Sequence, residues 1–237
     1  NETAIYVTSL SYNISIINNT VDNTFDNGTN QSYGIHFIGS YPATDSRVSE
    51  IKNNTIGGAN ITGIYLNSNS DYVSIWDNLI ANNSNGTVVE DSSTTDLRRN
   101  RFEDNDNTGL YFEGATIIDQ FGDYLSSENN FTRNNVGLEA RSSTSTDTIV
   151  GTFINNTNRG INLIESPIDI AQVNVSGSSR GIHIGSTSDV TLGSLTLFEN
   201  TADGIRLSGT TNIQIDSGTG VMNIFDNGKG INFQDTN

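Results

Sequence analysis

The chain has no cysteine, two prolines, one methionine, one tryptophan and only 11 Lys+Arg against 27 Asp+Glu. Without Cys there are no disulfides, thiolate metal sites or thiol nucleophiles, and Cys-based redox chemistry is excluded. A formal charge of −16 repels phosphate backbones and anionic headgroups, which excludes nucleic acid and polybasic membrane attachment as partner classes. No run of about eighteen apolar residues exists, and Asn1-Glu2-Thr3 has neither a basic start nor an apolar core. No signal peptide and no membrane insertion are therefore expected within this segment. Hydrophobic residues make up only 33%, while Asn reaches 34 residues and Ser plus Thr 54. That composition borders on disorder, but the apolar residues are mostly Ile, Leu, Val and Phe at regular spacing, which a disordered chain has no use for. A length of 237 residues suits one domain, 1–237.

The order lies in a repeat. A unit of Gly, apolar, any, apolar recurs as Gly34-Ile35-His36-Phe37, Gly63-Ile64-Tyr65-Leu66, Gly109-Leu110-Tyr111-Phe112, Gly137-Leu138-Glu139-Ala140, Gly160-Ile161-Asn162-Leu163, Gly181-Ile182-His183-Ile184, Gly204-Ile205-Arg206-Leu207 and Gly230-Ile231-Asn232-Phe233. Degenerate copies start at Ala4 and Gly86, and the ten starts are separated by 21 to 30 residues. Within each unit the two apolar side chains point one way and the middle residue the other, which is strand periodicity. A second apolar group follows in each period, as in Ile51 and Ile56, Ile75 and Ile80, Leu97 and Phe102, Leu125 and Phe131, Leu192 and Leu197. No segment sustains helical spacing, so no substantial helix is expected. Short strands at this period stack as a solenoid in which each coil pairs in parallel with the next at about 4.8 Å, and ten coils would make a rod roughly 45 to 50 Å long.

An Asn recurs just before the last apolar residue of the second group: Asn19, Asn54, Asn78, Asn100 and Asn129. These would stack in register as a column of side-chain amides, each in the left-handed backbone of a tight corner. The column is then expected to pass to Thr152, Val173 and Leu195.

The strand unit, the corner Asn and the coil length together resemble the right-handed parallel β-helix repeat family. That family includes pectate lyases, polygalacturonases, the copper-site maturation protein of nitrous oxide reductase, and many archaeal and bacterial surface proteins. The resemblance covers almost the whole chain and implies an all-β, right-handed parallel β-helix of about ten coils. It implies no activity, because the scaffold hosts both enzymes and inert rods. The Asn-rich turns look most like repeats of archaeal and bacterial cell-surface proteins.

Catalytic signatures of those relatives are missing. The clustered Asn-Thr-Asp, Asp-Asp, Gly-His-Gly and Arg-Ile-Lys elements of polygalacturonases do not occur. Ser74-Ile75-Trp76-Asp77-Asn78 distantly resembles the lyase Trp-Ile-Asp-His element, but Asn78 replaces its His. No convergent carboxylate pair is legible, so no catalytic residue is assigned. His36 and His183 occupy equivalent outward positions about 29 Å apart on the coil spacing; they read as surface residues and share no metal. Asp104-Asn105-Asp106-Asn107-Thr108-Gly109 begins like a calcium loop, but its twelfth position is Ala115 rather than Glu. It reads as a polar corner, and neither metal nor cofactor is expected. Arg98, Arg99 and Arg101 read as ion-paired to the neighbouring Glu103, Asp104 and Asp106.

Two features could carry function. The outward residues of the strand unit form a ring-rich stripe, Tyr6, His36, Tyr65 and Tyr111, interrupted by Val88. Exposed rings stack on sugars or form the dry centre of a protein contact, although rings are also simply good strand residues. Asn-x-Ser/Thr sequons occur at Asn1, Asn13, Asn18, Asn27, Asn30, Asn53, Asn60, Asn82, Asn85, Asn130, Asn155 and Asn174. None coincides with the Asn column, which fits glycans on outward residues, while a recurrent Asn-Asn-Thr corner without sugar explains part of the set equally well. Only Lys52 and Lys229 are Lys, and an acidic, Lys-poor surface suits a salty medium.

The chain begins and ends within a coil without a cap, which reads as part of a longer chain or as ends that stack between subunits. The sequence thus points to a non-catalytic extracellular structural or adhesive module of a cell-surface protein of the S-layer, sheath or filament kind. Its partners would be neighbouring copies, other surface proteins or polysaccharide. The alternative is a carbohydrate-active enzyme or carbohydrate-binding β-helix that uses the tyrosine face.

Overall fold

The structure, a computed structural model, describes residues 3–8, 13–22, 32–39, 49–67, 70, 73–120, 128–186, 188–209, 211–215 and 221–234. It is an all-β, right-handed parallel β-helix, and every strand pairing among the described residues is parallel. The first wall holds ten strands: Thr3–Val7, Tyr33–Ile38, Thr62–Asn67, Asn85–Glu90, Thr108–Glu113, Val136–Arg141, Arg159–Ile164, Arg180–Gly185, Asp203–Ser208 and Lys229–Gln234. Among the described residues the second wall holds six, from Ser15–Ile17 to Thr144–Ser145. The expected ten coils are therefore ten strands on one wall but fewer complete three-sided turns. Beyond Thr144–Ser145 the second and third walls run together in longer strands, Ile149–Ile154, Ile170–Ser176 and Ser188–Phe198, until the last winding separates them again as Thr211–Ile215 and Met222–Phe225, which pair with the two halves of Ser188–Phe198.

Register puts like on like. Ile35 pairs with Ile64, Leu110 with Leu138, and Ile161 with Ile182, and all six are buried. The interior is therefore a set of largely aliphatic columns with Phe37 and Phe112 among them, and in the third wall Phe102, Phe131 and Phe153 stack with centroids 4.8 and 4.5 Å apart. From Gly63 to Gly204 the Gly that opens the first-wall unit is required by close approach. A Cβ at Gly86 would lie 2.3 Å from the Gly109 carbonyl oxygen, a contact no side chain tolerates.

The corners are held by asparagine. Each column amide serves both neighbouring coils. Asn54 Nδ2 donates to Ile16 O (2.8 Å) and Asn78 Oδ1 (3.1 Å), and Asn54 N–H donates to the same oxygen (2.9 Å). Asn78 repeats the pattern toward Ile51 O and Asn100, and Asn100 toward Ile75 O and Asn129. Asn54, Asn78, Asn100 and Asn129 are buried, whereas Asn19, in the first coil, is exposed.

Two expectations about this column need correction. The left-handed residue is not the column Asn but its predecessor: Asn18 (φ 59°), Asn53 (53°), Asp77 (57°) and Arg99 (53°). The predecessor turns the chain outward, which leaves the following Asn extended and pointing in. The column also passes from Asn129 to Gly151, then Val173 and Leu195, rather than to Thr152. Thr152 lies on the outer face and donates its hydroxyl to Glu128 (3.1 Å). Once the two walls merge, the strand runs straight through the former corner, no backbone groups are freed there, and aliphatic residues replace the amide.

The sequence reading missed a second amide column at the corner after the third wall: Asn83, Asn105, Asn134 and Asn156, resuming at Asn200 and Asn227 with Ser178 between. Here too the preceding residue is left-handed, at Asn82, Asp104, Arg133, Asn155, Gly177, Glu199 and Asp226. A column of serine hydroxyls, Ser70, Ser92, Ser143 and Ser166, serves the remaining corner.

Removing a buried ladder rung breaks several bonds at once. Asn105→Asp replaces a donor with a carboxylate facing Ile80 O and Asn134 Oδ1. It is expected to cost about 3–5 kcal/mol at neutral pH, as other uncompensated buried charges do. Burial raises the pKa of that carboxylate above its unfolded value, so the penalty grows as pH rises past about 4 and fades below it. Urea unfolding of parent and variant at pH 7 and pH 4 checks both points. Phe131→Ala, in the middle of the ring stack, is expected to lower stability by about 3–5 kcal/mol in the same measurement.

Candidate functional site

The outer face of the first wall carries three columns of side chains. The middle column runs Tyr6, His36, Tyr65, Val88, Tyr111, Glu139, Asn162, His183, Arg206 and Asn232, in continuous register. On one side stand Tyr33, Thr62, Asn85, Thr108, Val136, Arg159, Arg180 and Asp203. On the other, Glu90, Glu113 and Arg141 follow their middle-column neighbours by two residues and so share their face. Over the strands from Thr62–Asn67 to Val136–Arg141 this face is hollowed into a cleft of about 480 Å³, lined by Tyr33, Tyr65, Tyr111, Glu90, Glu139 and Arg141 among others.

Rings cluster at the end of the cleft nearer the first coil. Tyr33 stacks on Tyr65 at 5.1 Å with an 11° interplanar angle, and His36 packs 4.7 Å from Tyr33 and 4.8 Å from Tyr65. His36 is thereby buried, which corrects its reading as a surface residue, and burial lowers its pKa. Tyr6 touches His36 at 5.4 Å but is itself half exposed and lies outside the cleft. The ring stripe is thus partly a packed cluster, and Tyr65 and Tyr111 are the members of the expected stripe that line the cleft.

Both phenols are anchored by carboxylates. Tyr65 donates to Glu90 Oε2 (2.5 Å) and Tyr111 to Glu113 Oε2 (2.8 Å). Burial and then the adjacent carboxylate push both phenol pKa values upward. These tyrosines stay protonated at neutral pH and act as donors and stacking surfaces, not as bases. Glu139 is held by Arg141 Nε at 2.6 Å. Glu90, Glu113 and Arg141 escaped the sequence reading because they lie outside the four-residue unit; their signal was the alternation that places them on the face of Val88, Tyr111 and Glu139.

The other expected residues are dispersed. Among the sequon residues, Asn13, Asn18, Asn53, Asn60, Asn82, Asn155 and Asn174 are exposed, and Asn85 and Asn130 are half-buried. Asn1, Asn27 and Asn30 lie outside the described residues. Asn18, Asn53, Asn82 and Asn155 are the left-handed corner residues, each followed by a ladder Asn, so the fold itself accounts for those four sequons. The basic cluster pairs differently from expectation. Arg101 does reach Glu103 (2.6 Å), but Arg98 pairs with Asp96 (2.9 Å), Arg99 with Asp77 (2.5 Å), and Asp104 with Arg133 (2.6 Å). The last two pairs link successive corner residues, where neighbouring coils bring side chains together that are distant in sequence.

The model of the family described as periplasmic copper-binding protein (NosD) matches residues 1–162. Among solved structures, the chain is similar to the A-module of the mannuronan C-5 epimerase AlgE4 of Azotobacter vinelandii, with 12% identity and a TM-score of 0.44, covering 94% of this chain and 74% of that one. It is also similar to the enzymatically active domain of tailspike protein 2 of bacteriophage CBA120, with 12% identity and a TM-score of 0.46, covering 97% of this chain and 42% of that one. No curated protein matches the sequence significantly. The family description implies copper, whose protein ligands are imidazole, thiolate and thioether groups. Here there is no Cys, the one Met is Met222 on the third wall, and the two His stand six strands apart on the first wall. His183 has both ring nitrogens engaged, by Asn162 Oδ1 and Ser208 Oγ, and three guanidiniums nearby oppose a cation. Among the described residues no three His, Cys, Asp or Glu side chains gather. This donor set does not fit copper, and no step is derived through the metal. The family match nevertheless spans residues 1–162 of 237, and the parallel windings agree with it: the chain belongs to the NosD family.

Proposed function

We propose that this chain is a non-catalytic adhesive module of the cell envelope or cell exterior that holds a polysaccharide strand in the first-wall cleft. The observation that supports this is the pairing of two fixed rings, Tyr65 and Tyr111, with the carboxylates that anchor their hydroxyls, Glu90 and Glu113. A ring locked by its own hydrogen bond presents a stacking face without losing further rotamer entropy on binding. The second oxygen of each carboxylate accepts sugar hydroxyls. The cleft runs along the stacking direction of the coils, so successive strands offer successive subsites about 4.8 Å apart, a spacing that suits a linear chain. Glu90 and Glu139 in the lining favour a neutral or amino sugar over a polyuronate at this point. The wider partner class is the surrounding envelope material, polysaccharide first and neighbouring surface proteins second.

A second reading, a carbohydrate-active enzyme, draws on one observation: Glu90 and Glu113 are register partners on adjacent strands. Adjacent carboxylates about 5 Å apart are the arrangement of retaining glycosidases. The adhesive reading is preferred because both carboxylates accept from phenols that stay protonated, and Glu139 is neutralised by Arg141.

Titration calorimetry with neutral and amino-sugar oligosaccharides decides between them. Binding is expected, with Tyr65→Ala and Tyr111→Ala each weakening it about ten-fold, or about 1.4 kcal/mol, and with Tyr6→Ala neutral. Absence of binding to any saccharide overturns the adhesive reading, and turnover abolished by Glu113→Gln replaces it with the enzymatic one. In an absorbance titration, Tyr65 is expected to ionise well above pH 10 and to move back toward 10 in Glu90→Gln, because the variant lacks the carboxylate that disfavours phenolate.

A further inference from the structure

Beyond the cleft the same face changes sign. On the Arg159–Ile164, Arg180–Gly185 and Asp203–Ser208 strands, Arg159, Arg180 and Asp203 form one outward column, while Asn162, His183 and Arg206 form the next. Three of the eleven basic residues of a chain with net charge −16 thus converge on three neighbouring strands. Their hydrogen-bonding capacity is not used up. The Nε atoms of Arg159, Arg180 and Arg206 are buried without a hydrogen-bond acceptor, and so is Nδ2 of Asn162, whose side chain is fully buried. Buried polar donors are satisfied almost everywhere in folded proteins, so four orphans in one patch call for a partner.

The surrounding groups do not provide one. Glu139 is engaged by Arg141 at 2.6 Å. Asp203 accepts from Asn232 Nδ2 at 2.9 Å and stands 3.5 Å from Arg180 Nε, an ion pair rather than a hydrogen bond. Asn162 Oδ1 is taken by His183 Nδ1 at 2.7 Å, and His183 Nε2 meets Ser208 Oγ at 3.0 Å. Arg206 reaches Gln234 through Nη2, which leaves its Nε without an acceptor. With Asp203 set against one guanidinium, two positive charges remain uncompensated. Burial, then Arg159, Arg206 and Arg180, press His183 down to a pKa of about 4, so it contributes no charge of its own near neutrality. Burial and Arg180 lower Arg159 as well, the expected signature of cations packed together without a counter-ion.

We propose that this patch is an oxyanion-binding site, in which the guanidiniums of Arg159, Arg180 and Arg206 and the Asn162 amide donate to a sulfate, phosphate or carboxylate group. Such groups are acceptor-only, match the planar guanidinium edge, and supply the charge the patch lacks. The site is separate from the tyrosine cleft and does not depend on that cleft's ligand.

The test uses inorganic sulfate on the intact chain, by titration calorimetry at constant ionic strength with chloride as the balancing salt, alongside NMR of the two histidines. Saturable sulfate binding is expected, weakened at least ten-fold in Arg159→Gln and in Arg206→Gln and unchanged in Arg133→Gln, whose guanidinium serves a distant corner. Sulfate is also expected to raise the pKa of His183 by relieving the repulsion of its neighbours while leaving His36 in place; this readout needs no variant. A heat indistinguishable from chloride together with an unmoved His183 overturns the site, as does sulfate affinity indifferent to both Arg substitutions. The source of the group is resolved by a sulfated oligosaccharide. If it binds more tightly than sulfate and Tyr111→Ala weakens it, the anion is carried on a sugar chain laid across both regions; if sulfate binds as well by itself, the ligand is a free ion.

Discussion

The structure depends on satisfying the backbone at its corners. A parallel solenoid pairs its strands coil to coil without difficulty, but each change of direction leaves carbonyls and N–H groups pointing into a space that water does not reach. The asparagine ladders solve this with one residue per turn. A single amide oxygen accepts from the backbone and side chain of the coil before, and the amide nitrogen donates to that coil's strand carbonyl and onward to the next rung. Each rung is correct only if its neighbours are, so the ladders impose register over the whole stack.

That requirement explains the composition. The chain is poor in apolar residues because the inside of each winding needs only a few aliphatic side chains per wall, the corners consuming amides and hydroxyls instead. It is rich in Asn for two reasons that alternate along the chain: one Asn adopts the left-handed bend and the next enters the ladder, as in Asn53-Asn54 and Asn155-Asn156. Where the bend is made by Asp77, Arg99, Asp104 or Arg133, the same positions carry ion pairs between coils instead.

Much of this was legible in order of repetition. The four-residue unit recurs often enough to reveal the winding, the parallel pairing and the inward columns. The first amide ladder was visible through Asn54, Asn78 and Asn100, though its bend was assigned one residue late because Asn is compatible with both roles. The second ladder also had a signal, an Asn three or four residues ahead of the unit's Gly, as at Asn83, Asn105, Asn134, Asn156, Asn200 and Asn227. It was obscured by the abundance of Asn in the loops. The cleft was half legible. Tyr65 and Tyr111 could be placed on the outer face, but the pairing of their hydroxyls with Glu90 and Glu113, and the burial of His36 among rings, depend on side-chain packing that alternation does not encode. Arg159 and Arg180 carry no signal in the sequence because each directly precedes a unit's Gly, outside the four-residue pattern.

The merging of the second and third walls beyond Thr144–Ser145 divides the rod into halves with different capacity for change. Unit starts on the three-sided side lie as much as 30, 29 and 28 residues apart, whereas the merged windings take 21 and 23, and the last winding, where the walls separate again, lengthens to 26. A corner is a place where chain can be spliced in without disturbing the stack, and merging removes one corner per turn. Windings that keep all three walls therefore have room for inserted chain, while the merged windings can differ from one another only in the side chains they present on a nearly constant frame.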